Sequence, residues 1–245
     1  MLWVVYMKKV FFALIFSCYF INICVANDDL KRYRDECLSI INKPEIKVEY
    51  TLGRLKYDFE KDRAYINKER KRSDIYVKSE YDDELDVDGL TSVRNGFEVE
   101  LDTKQIGVSK GYKCVYPEKV KVFLGYYTPK IYIANDLPKD SCRYNLALRH
   151  EKTHMQIYIE ALLDFLPELK KYTYKAVDDI GVKIVKPGEN PQNLAEEFYN
   201  DYIAYLNKIV NKWQKEVLIE QQKLDKPENY MIESRICSEI DGLEE

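Results

Sequence analysis

The chain contains only two histidines, and they lie four residues apart in the stretch LRHEKTHMQ. Glu151 directly follows His150, and His154 completes the pattern H-E-x-x-H. Two histidines placed at random would produce this pattern, glutamate included, in about one arrangement in a thousand. On a helix, residues four apart lie on the same side, so both imidazoles can bind one metal ion. The spacing therefore favours a zinc site over a chance run of charged residues.

A helical wheel places Glu151 on the buried face of this helix. At about 100° per residue, Glu151 lies in the middle of an apolar arc, and the two histidines lie at its edge. The arc consists of Tyr144, Ala147, Leu148, Met155, Tyr158 and Leu162. A buried carboxylate is costly unless it has a partner or faces a polar cleft. We therefore predict that Glu151 is catalytic and accepts the proton of a water that zinc activates.

A catalytic zinc with two histidine ligands needs a third protein ligand and keeps one position for water. The chain has no further histidine, so a carboxylate is expected. Glu197 and Asp201 lie four residues apart at the edge of the apolar face of a later helix, whereas Glu196 lies further toward solvent. We predict that Glu197 is the third ligand of a single zinc ion. Asp201 would orient one imidazole by a hydrogen bond.

The elements that must position these residues are strands first and helices second. Short β-branched and aromatic runs before residue 137 are typical of strands, and turn signals such as Asn95-Gly96 and Pro129 separate them. The runs are IKVEYTL, DIYVKSEY, FEVELDT, VKVFLGYY and KIYIAND. From residue 140 the apolar spacing becomes helical. The order predicts an α+β fold: an N-terminal antiparallel or mixed sheet, then the H-E-x-x-H helix and a second long helix packed on it.

Capping residues predict where the two helices begin and end. Asp140 or Ser141 can cap the H-E-x-x-H helix, which should end near Phe165 because Pro167 follows. The second helix is expected over residues 190–224, since its apolar face continues through that range. KIYIAND would lie near the first helix as an edge strand and bind an extended substrate by backbone pairing.

The N-terminus has the order of an export signal. Two lysines precede an apolar run of about 17 residues, which ends in small residues at Ala26. We predict that residues 1–26 are cleaved, with an uncleaved membrane anchor as the alternative. Residues 27–245 would form a single domain, strand-rich over 27–139 and helical over 140–245. The mature protein would be exported to the periplasm or the extracellular space, with no stable membrane span.

Export determines the chemistry expected of the cysteines. Two of the six leave with the signal, and Cys37, Cys114, Cys142 and Cys237 remain. In an oxidising compartment four cysteines favour two disulfides, for which three pairings exist. We take Cys114 with Cys142, and Cys37 with Cys237, as the working pairing.

The charge of the chain argues against nucleic acid as a partner. The formal net charge is −4, and it becomes −6 when the two lysines of the signal are removed. A mildly acidic protein lacks the basic surface that nucleic acid or an anionic membrane requires. The expected partner is a peptide or protein substrate, and the sequence does not indicate an oligomeric state.

Two motifs together resemble the gluzincin layout of thermolysin-like metallopeptidases: H-E-x-x-H on one helix and E-x-x-x-D on a later one, here EFYND from Glu197 to Asp201. In that family the histidines and the first acid bind zinc. The glutamate of H-E-x-x-H is the general base, and the final aspartate holds a zinc histidine. The stretch PKIYIANDLPKDSCRYNLALRHEKTHMQIYIEAL also resembles uncharacterised bacterial proteins described as predicted secreted zinc-dependent proteases. The resemblance implies an exported zinc metallopeptidase with a zincin-like domain.

The chain also departs from thermolysin-like enzymes. Glu196 stands where they have an asparagine before the second motif, and no downstream histidine can stabilise the oxyanion. A tyrosine would have to supply that hydrogen bond. Two other functions stay open: a non-catalytic envelope binding or assembly protein on a zincin-like scaffold, and a zinc amidase that acts on cell-wall peptides.

Overall fold

The computed structural model describes residues 29–72 and 87–241, and within them the chain has the predicted α+β fold. In chain order the elements are α1 (29–40), β1 (Glu45–Thr51), β2 (Lys56–Asp58), α2 (Arg63–Arg72), β3 (Gly89–Gly107), β4 (Lys113–Ile133), α3 (Cys142–Ile180), β5 (Lys183–Val185), α4 (Pro191–Leu224) and α5 (Pro227–Asp241). The predicted signal at 1–26 and the predicted strand DIYVKSEY lie outside the described residues. None of the helices in the described ranges combines the length and the apolar character that crossing a membrane requires.

Strand β4 is the centre of the sheet. Five strands of the described residues form one mixed sheet, in which every other strand pairs with β4. β2 runs parallel to β4, with Tyr57 opposite Ile131, and β5 runs antiparallel, with Ile184 opposite Cys114. Alternate side chains of β4 are buried, as expected for a strand with one face on the core. They include Val120, Val122, Leu124 and Tyr126.

Strand β4 is one continuous strand where two were predicted, VKVFLGYY and KIYIAND, on either side of Pro129. The bend at this point is taken up inside the strand by Thr128, whose φ is 48°. Residues 130–132 pair with β2, and the Ala134 N–H donates a hydrogen bond to the Asp88 carbonyl. KIYIAND therefore already pairs with β2, and its role as an edge strand that binds substrate stays a prediction.

The Asn95-Gly96 pair lies inside β3 and does not form the predicted turn. A Cβ at Gly96 would overlap the ring of Tyr127, so the glycine allows this ring to cover the strand. The close approach of an aromatic ring, rather than a turn, explains the glycine at this position.

Helix α3 is 39 residues long and extends beyond its predicted end near Phe165. Ser141 caps it, since its Oγ accepts a hydrogen bond from a backbone N–H of the first turn at 3.2 Å. The helix continues through Pro167, although proline removes one backbone hydrogen bond. Packing beside the proline offsets that loss, because the Phe165 ring stacks on Trp213 of α4 with 5.1 Å between ring centroids.

Helix α4 packs on α3, as the fold prediction states. Trp213 Nε1 donates a hydrogen bond to the Ala161 carbonyl at 3.0 Å, and Gln221 Nε2 donates one to the His154 carbonyl at 3.1 Å. Residue numbers rise along α4 as they fall along α3, so these two helices are antiparallel here. The C-terminal end of α4 consequently lies beside the H-E-x-x-H turn.

Two disulfides link the four cysteines, but not in the working pairing. Cys37 is bonded to Cys114, and Cys142 is bonded to Cys237. The prediction of two disulfides is confirmed, and the predicted pairing is wrong. The physical reason is that α5 folds back to the first residue of α3, a contact across 95 residues of sequence.

The chain divides into two compact units. One comprises the described residues up to Ile46 with Glu100–Val120 and Ala176–Tyr202, and it contains the Cys37–Cys114 disulfide. The other comprises Lys47–Val99, Lys121–Lys175 and the described residues from Ile203 onward, and it contains the H-E-x-x-H turn and the second disulfide. The single domain expected for residues 27–245 stays a prediction.

Candidate metal centre

Three donor atoms converge at the junction of α3 and the end of α4. His150 Nε2 and His154 Nε2 lie 3.1 Å apart. Asp225 Oδ1 lies 3.1 Å from the first nitrogen and 2.8 Å from the second. In a tetrahedral zinc site with bonds of about 2.0–2.1 Å, neighbouring ligand atoms lie about 3.3 Å apart. The triangle of donors therefore has nearly the size that a zinc ion requires, and this group could hold a metal ion.

Asp225 is held in place by the turn between α4 and α5. It is the first residue after α4, and Pro227 begins α5 two residues further on. Asn229 Nδ2 donates hydrogen bonds to the carbonyls of Lys223 and Leu224, at 3.1 Å and 2.9 Å. These are carbonyls of the last turn of α4, which have no partner within the helix. The side chain of Asn229 thus fixes the turn that presents the carboxylate.

Gln221 determines which nitrogen of His154 faces the other donors. The Gln221 Nε2 donates a hydrogen bond to the His154 carbonyl. The Gln221 Oε1 is therefore directed at His154 Nδ1, 2.5 Å away. An amide oxygen only accepts hydrogen bonds, so His154 Nδ1 carries a proton, and Nε2 is the nitrogen that would offer a lone pair to an ion. Gln221 is 1% exposed, and this buried contact locks the tautomer that metal binding needs.

The charges at the centre attract one another strongly. Burial alone would raise the pKa of Asp225, but hydrogen bonds from the two imidazoles and their charges hold it well below its usual range. Burial alone would lower the pKa of His154, yet Asp225 and Glu151 raise it to about 9. The negative charges of Asp225 and Glu151 therefore favour a cation at this group of donor atoms.

Glu151 is buried beside these charges, as the helical wheel predicts; it is 6% exposed. Burial raises its pKa, against the opposing charges of His154 and His150. Thr91 Oγ1 donates a hydrogen bond to the Glu151 carbonyl at 2.8 Å, and this bond links β3 to α3. A Cβ at Gly89 would lie 2.8 Å from Glu151 Oε1, so this glycine makes room for the carboxylate.

Glu197 and Asp201 lie elsewhere, in the first unit, and both pair with Lys183. Lys183 Nζ is 3.1 Å from Glu197 Oε2 and 2.7 Å from Asp201 Oδ2. The two acid side chains are 59% and 49% exposed. The carboxylate that meets the imidazoles is Asp225, which is not among the predicted ligands. It replaces Glu197 as the candidate third ligand, and Gln221 replaces Asp201 as the residue that orients an imidazole.

Helix α5 adds two polar side chains that contact the centre. The Tyr230 hydroxyl donates to Asp225 Oδ1 at 2.9 Å and lies 3.3 Å from His150 Nε2. Burial, followed by the negative charges of Asp225 and Glu151, raises the pKa of Tyr230, so the hydroxyl keeps its proton when no ion is bound. Glu233 Oε2 lies 3.6 Å from His150 Nδ1, on the outer side of that ring. The chain has 21 tyrosines, and no sequence pattern singles out Tyr230.

Comparison with protein-family models, with curated proteins and with solved structures finds no match to this chain. The resemblance to thermolysin-like metallopeptidases stays a prediction. The structure contributes the donor group itself, two histidines and one aspartate that could hold a metal ion. The identity of that ion belongs to the function proposed below.

The Cys142–Cys237 disulfide should strengthen metal binding, because it ties α5 to the first residue of α3. We expect that replacing both cysteines with serine weakens zinc binding by about 10–100-fold, the range seen when groups that support metal ligands are lost. Loss of the cross-link should also lower the free energy of unfolding by about 2–5 kcal/mol. Competition titration with a zinc chelator and urea denaturation measure the two effects.

The matched control is the double serine variant of Cys37 and Cys114. It removes a disulfide of the other unit, with a separation of 77 residues. It should lose similar stability and keep the wild-type affinity for zinc. Equal losses of zinc affinity in the two variants would contradict a specific role for the α5 tether.

Proposed function

We propose that this protein is a zinc-dependent peptidase whose single zinc ion is held by His150, His154 and Asp225. A zinc ion in this position would polarise the scissile carbonyl and lower the pKa of a water molecule. Glu151 then accepts the proton of the attacking water and delivers it to the leaving nitrogen. Gln221 keeps His154 in the tautomer that leaves Nε2 free for the ion.

The observation that carries this proposal is a buried glutamate adjacent to convergent metal donors. Glu151 follows His150 on α3 and interacts electrostatically with both imidazoles. A helix that served only to pack would gain stability from an apolar residue at this buried position. Gly89, in addition, leaves the space that the carboxylate fills. General base catalysis supplies a reason for both features.

The donor set restricts the choice of metal. Neutral imidazole nitrogens suit zinc, copper, iron and nickel, and two histidines with one carboxylate also occur in non-haem Fe(II) oxygenases. Those oxygenases need no general base next to a ligand, whereas hydrolysis by a metal-activated water does. The position of Glu151 therefore favours zinc and hydrolysis.

We also propose that the protein works outside the cytoplasm, as the predicted export signal implies. Two disulfides support this, because disulfides persist in oxidising compartments and are rare in reducing ones. The substrate would then be an extracytoplasmic protein or peptide.

The proposal is tested by metal content and by peptide hydrolysis. The chain, produced with its predicted export signal in a host that exports it to an oxidising compartment, should contain close to one zinc per molecule by elemental analysis. It should cleave an unfolded protein such as reduced, alkylated casein, lose that activity in a chelator and regain it with zinc. His154→Ala should abolish both zinc binding and cleavage.

Three results would count against the peptidase. Iron in place of zinc would contradict the metal assignment. Cleavage of cell-wall peptides without cleavage of casein would favour the amidase. A zinc-loaded protein that hydrolyses neither substrate would favour the non-catalytic binding protein.

A further inference from the structure

The Tyr230 hydroxyl lies on the side of the donor group where an ion would bind. It contacts Asp225 through Oδ1, the same oxygen that meets both imidazoles, and it also approaches His150 Nε2. A tyrosine that only supported the aspartate from outside would bond to the other carboxylate oxygen and stay away from the histidine nitrogen. Both contacts are instead made to atoms that would bind the metal.

Most of the edges that join these four atoms have the length expected in a tetrahedral site. Five of the six edges between His150 Nε2, His154 Nε2, Asp225 Oδ1 and the Tyr230 hydroxyl oxygen are between 2.8 and 3.3 Å. Ligand atoms around a four-coordinate zinc are expected about 3.3 Å apart. We propose that Tyr230 is a fourth protein donor, which closes the metal centre in the resting protein.

The fold holds Tyr230 in this position. Its ring packs against the His150 ring, with 5.0 Å between centroids. It lies in the first turn of α5, next to Asn229, which bonds back to the end of α4. The Cys142–Cys237 disulfide fixes the same helix two turns further on. The position of Tyr230 is thus fixed by Asn229 on its N-terminal side and by the disulfide on its C-terminal side.

The consequence is a metal centre that must open before it can act. Zinc sites with four protein ligands are typically structural, and catalytic sites keep a position for water or substrate. If the centre is the peptidase site proposed above, Tyr230 occupies that position at rest. A substrate has to displace the hydroxyl or enter as a fifth ligand. This inference depends on the proposed metal centre and adds a regulatory role for one residue of α5.

Azide binding to the cobalt-substituted protein tests the closure directly. Co(II) can replace zinc, and its visible absorption changes when an exogenous anion binds. With Tyr230 as a donor, the wild type should bind azide at least tenfold more weakly than Tyr230→Phe, which has lost the hydroxyl oxygen and little else. Tyr230→Phe should also bind zinc about tenfold more weakly. Tyr144→Phe is the matched control on α3, where the ring packs near Phe59, and it should behave as wild type.

The outcomes separate this inference from the proposed function. If wild type and Tyr230→Phe bind cobalt and bind azide equally well, Tyr230 is not a donor, and the peptidase proposal is unaffected. If the wild type binds neither cobalt nor zinc, the metal centre itself is refuted.

A second measurement needs no variant. In the copper(II)-loaded wild type, a bound tyrosine oxygen gives up its proton to the buffer and produces a visible phenolate-to-copper charge-transfer band. A copper-loaded protein without that band would overturn the inference.

Discussion

Glu151→Gln should lower kcat for peptide hydrolysis by about 10²–10⁴-fold, the usual contribution of a general base. The amide has nearly the shape of the carboxylate, so it fills the space beside Gly89, but it cannot accept the proton of water. Zinc content should stay at the wild-type level, because His150, His154 and Asp225 are unchanged. Rates with a quenched peptide substrate and elemental analysis on the same samples give both values.

The same substitution should not destabilise the protein. Glu151 is 6% exposed, and a buried carboxylate costs free energy that a neutral amide avoids. The melting temperature of Glu151→Gln should therefore equal or exceed that of the wild type. Lost activity with retained stability is typical of a residue kept for function. Glu160→Gln, on the solvated face of α3, is the control and should change neither property.

A fall of kcat below threefold in Glu151→Gln would exclude the general-base role. A lower melting temperature together with lost zinc would instead indicate that Glu151 supports the structure of the centre.

The half of the site that lies on one helix was predictable from sequence, because helical geometry relates residues four apart. His150, Glu151 and His154 need only the periodicity of α3, and the burial of Glu151 followed from its position among apolar neighbours. The candidate third ligand, Asp225, depends on which turn of another helix lies beside this one. That is a tertiary contact, and it is determined by packing such as that of Trp213 on Ala161.

The prediction of Glu197 follows a motif, whereas the structure brings Asp225 to the histidines, and the sequence carries a signal for that position too. The turn Leu224-Asp225-Lys226-Pro227 marks the end of a long amphipathic helix. A helix that packs antiparallel on α3 returns its C-terminal end toward the histidines. An acid just after that end was therefore a better candidate than one near the start of α4.

The predictions of local structure that proved wrong share a cause. Pro167 was expected to end α3, and Pro129 and Asn95-Gly96 were expected to form turns, since these residues usually do so in isolation. At Pro167 and at Asn95-Gly96 tertiary packing overrides the local preference: Phe165 packs on Trp213, and Tyr127 covers Gly96. The disulfide pairing was not predictable for a related reason, because the position of α5 is not encoded in any local pattern.

Asp225→Asn should lower zinc affinity by more than about a hundredfold, beyond the 10–100-fold that loss of an outer hydrogen-bond partner produces. The substitution keeps the size of the side chain but removes the negative charge and replaces one carboxylate oxygen with an N–H donor. A neutral amide is a poor ligand for a divalent ion, and it no longer offsets the charge of zinc beside two neutral imidazoles. Competition with a chelator of known zinc affinity measures the change.

Glu197→Gln provides the decisive comparison, because Glu197 is the ligand that the motif favours. Its carboxylate is 59% exposed and pairs with Lys183, so the substitution should cost no more than about 1 kcal/mol of stability. Its zinc affinity should equal that of the wild type. If Glu197→Gln loses zinc as severely as Asp225→Asn, the third ligand is the one that the E-x-x-x-D motif indicates, and the centre described at the end of α4 is incorrect. If only Asp225→Asn loses zinc, the ligand set combines an H-E-x-x-H helix with an aspartate from the turn that follows its antiparallel partner.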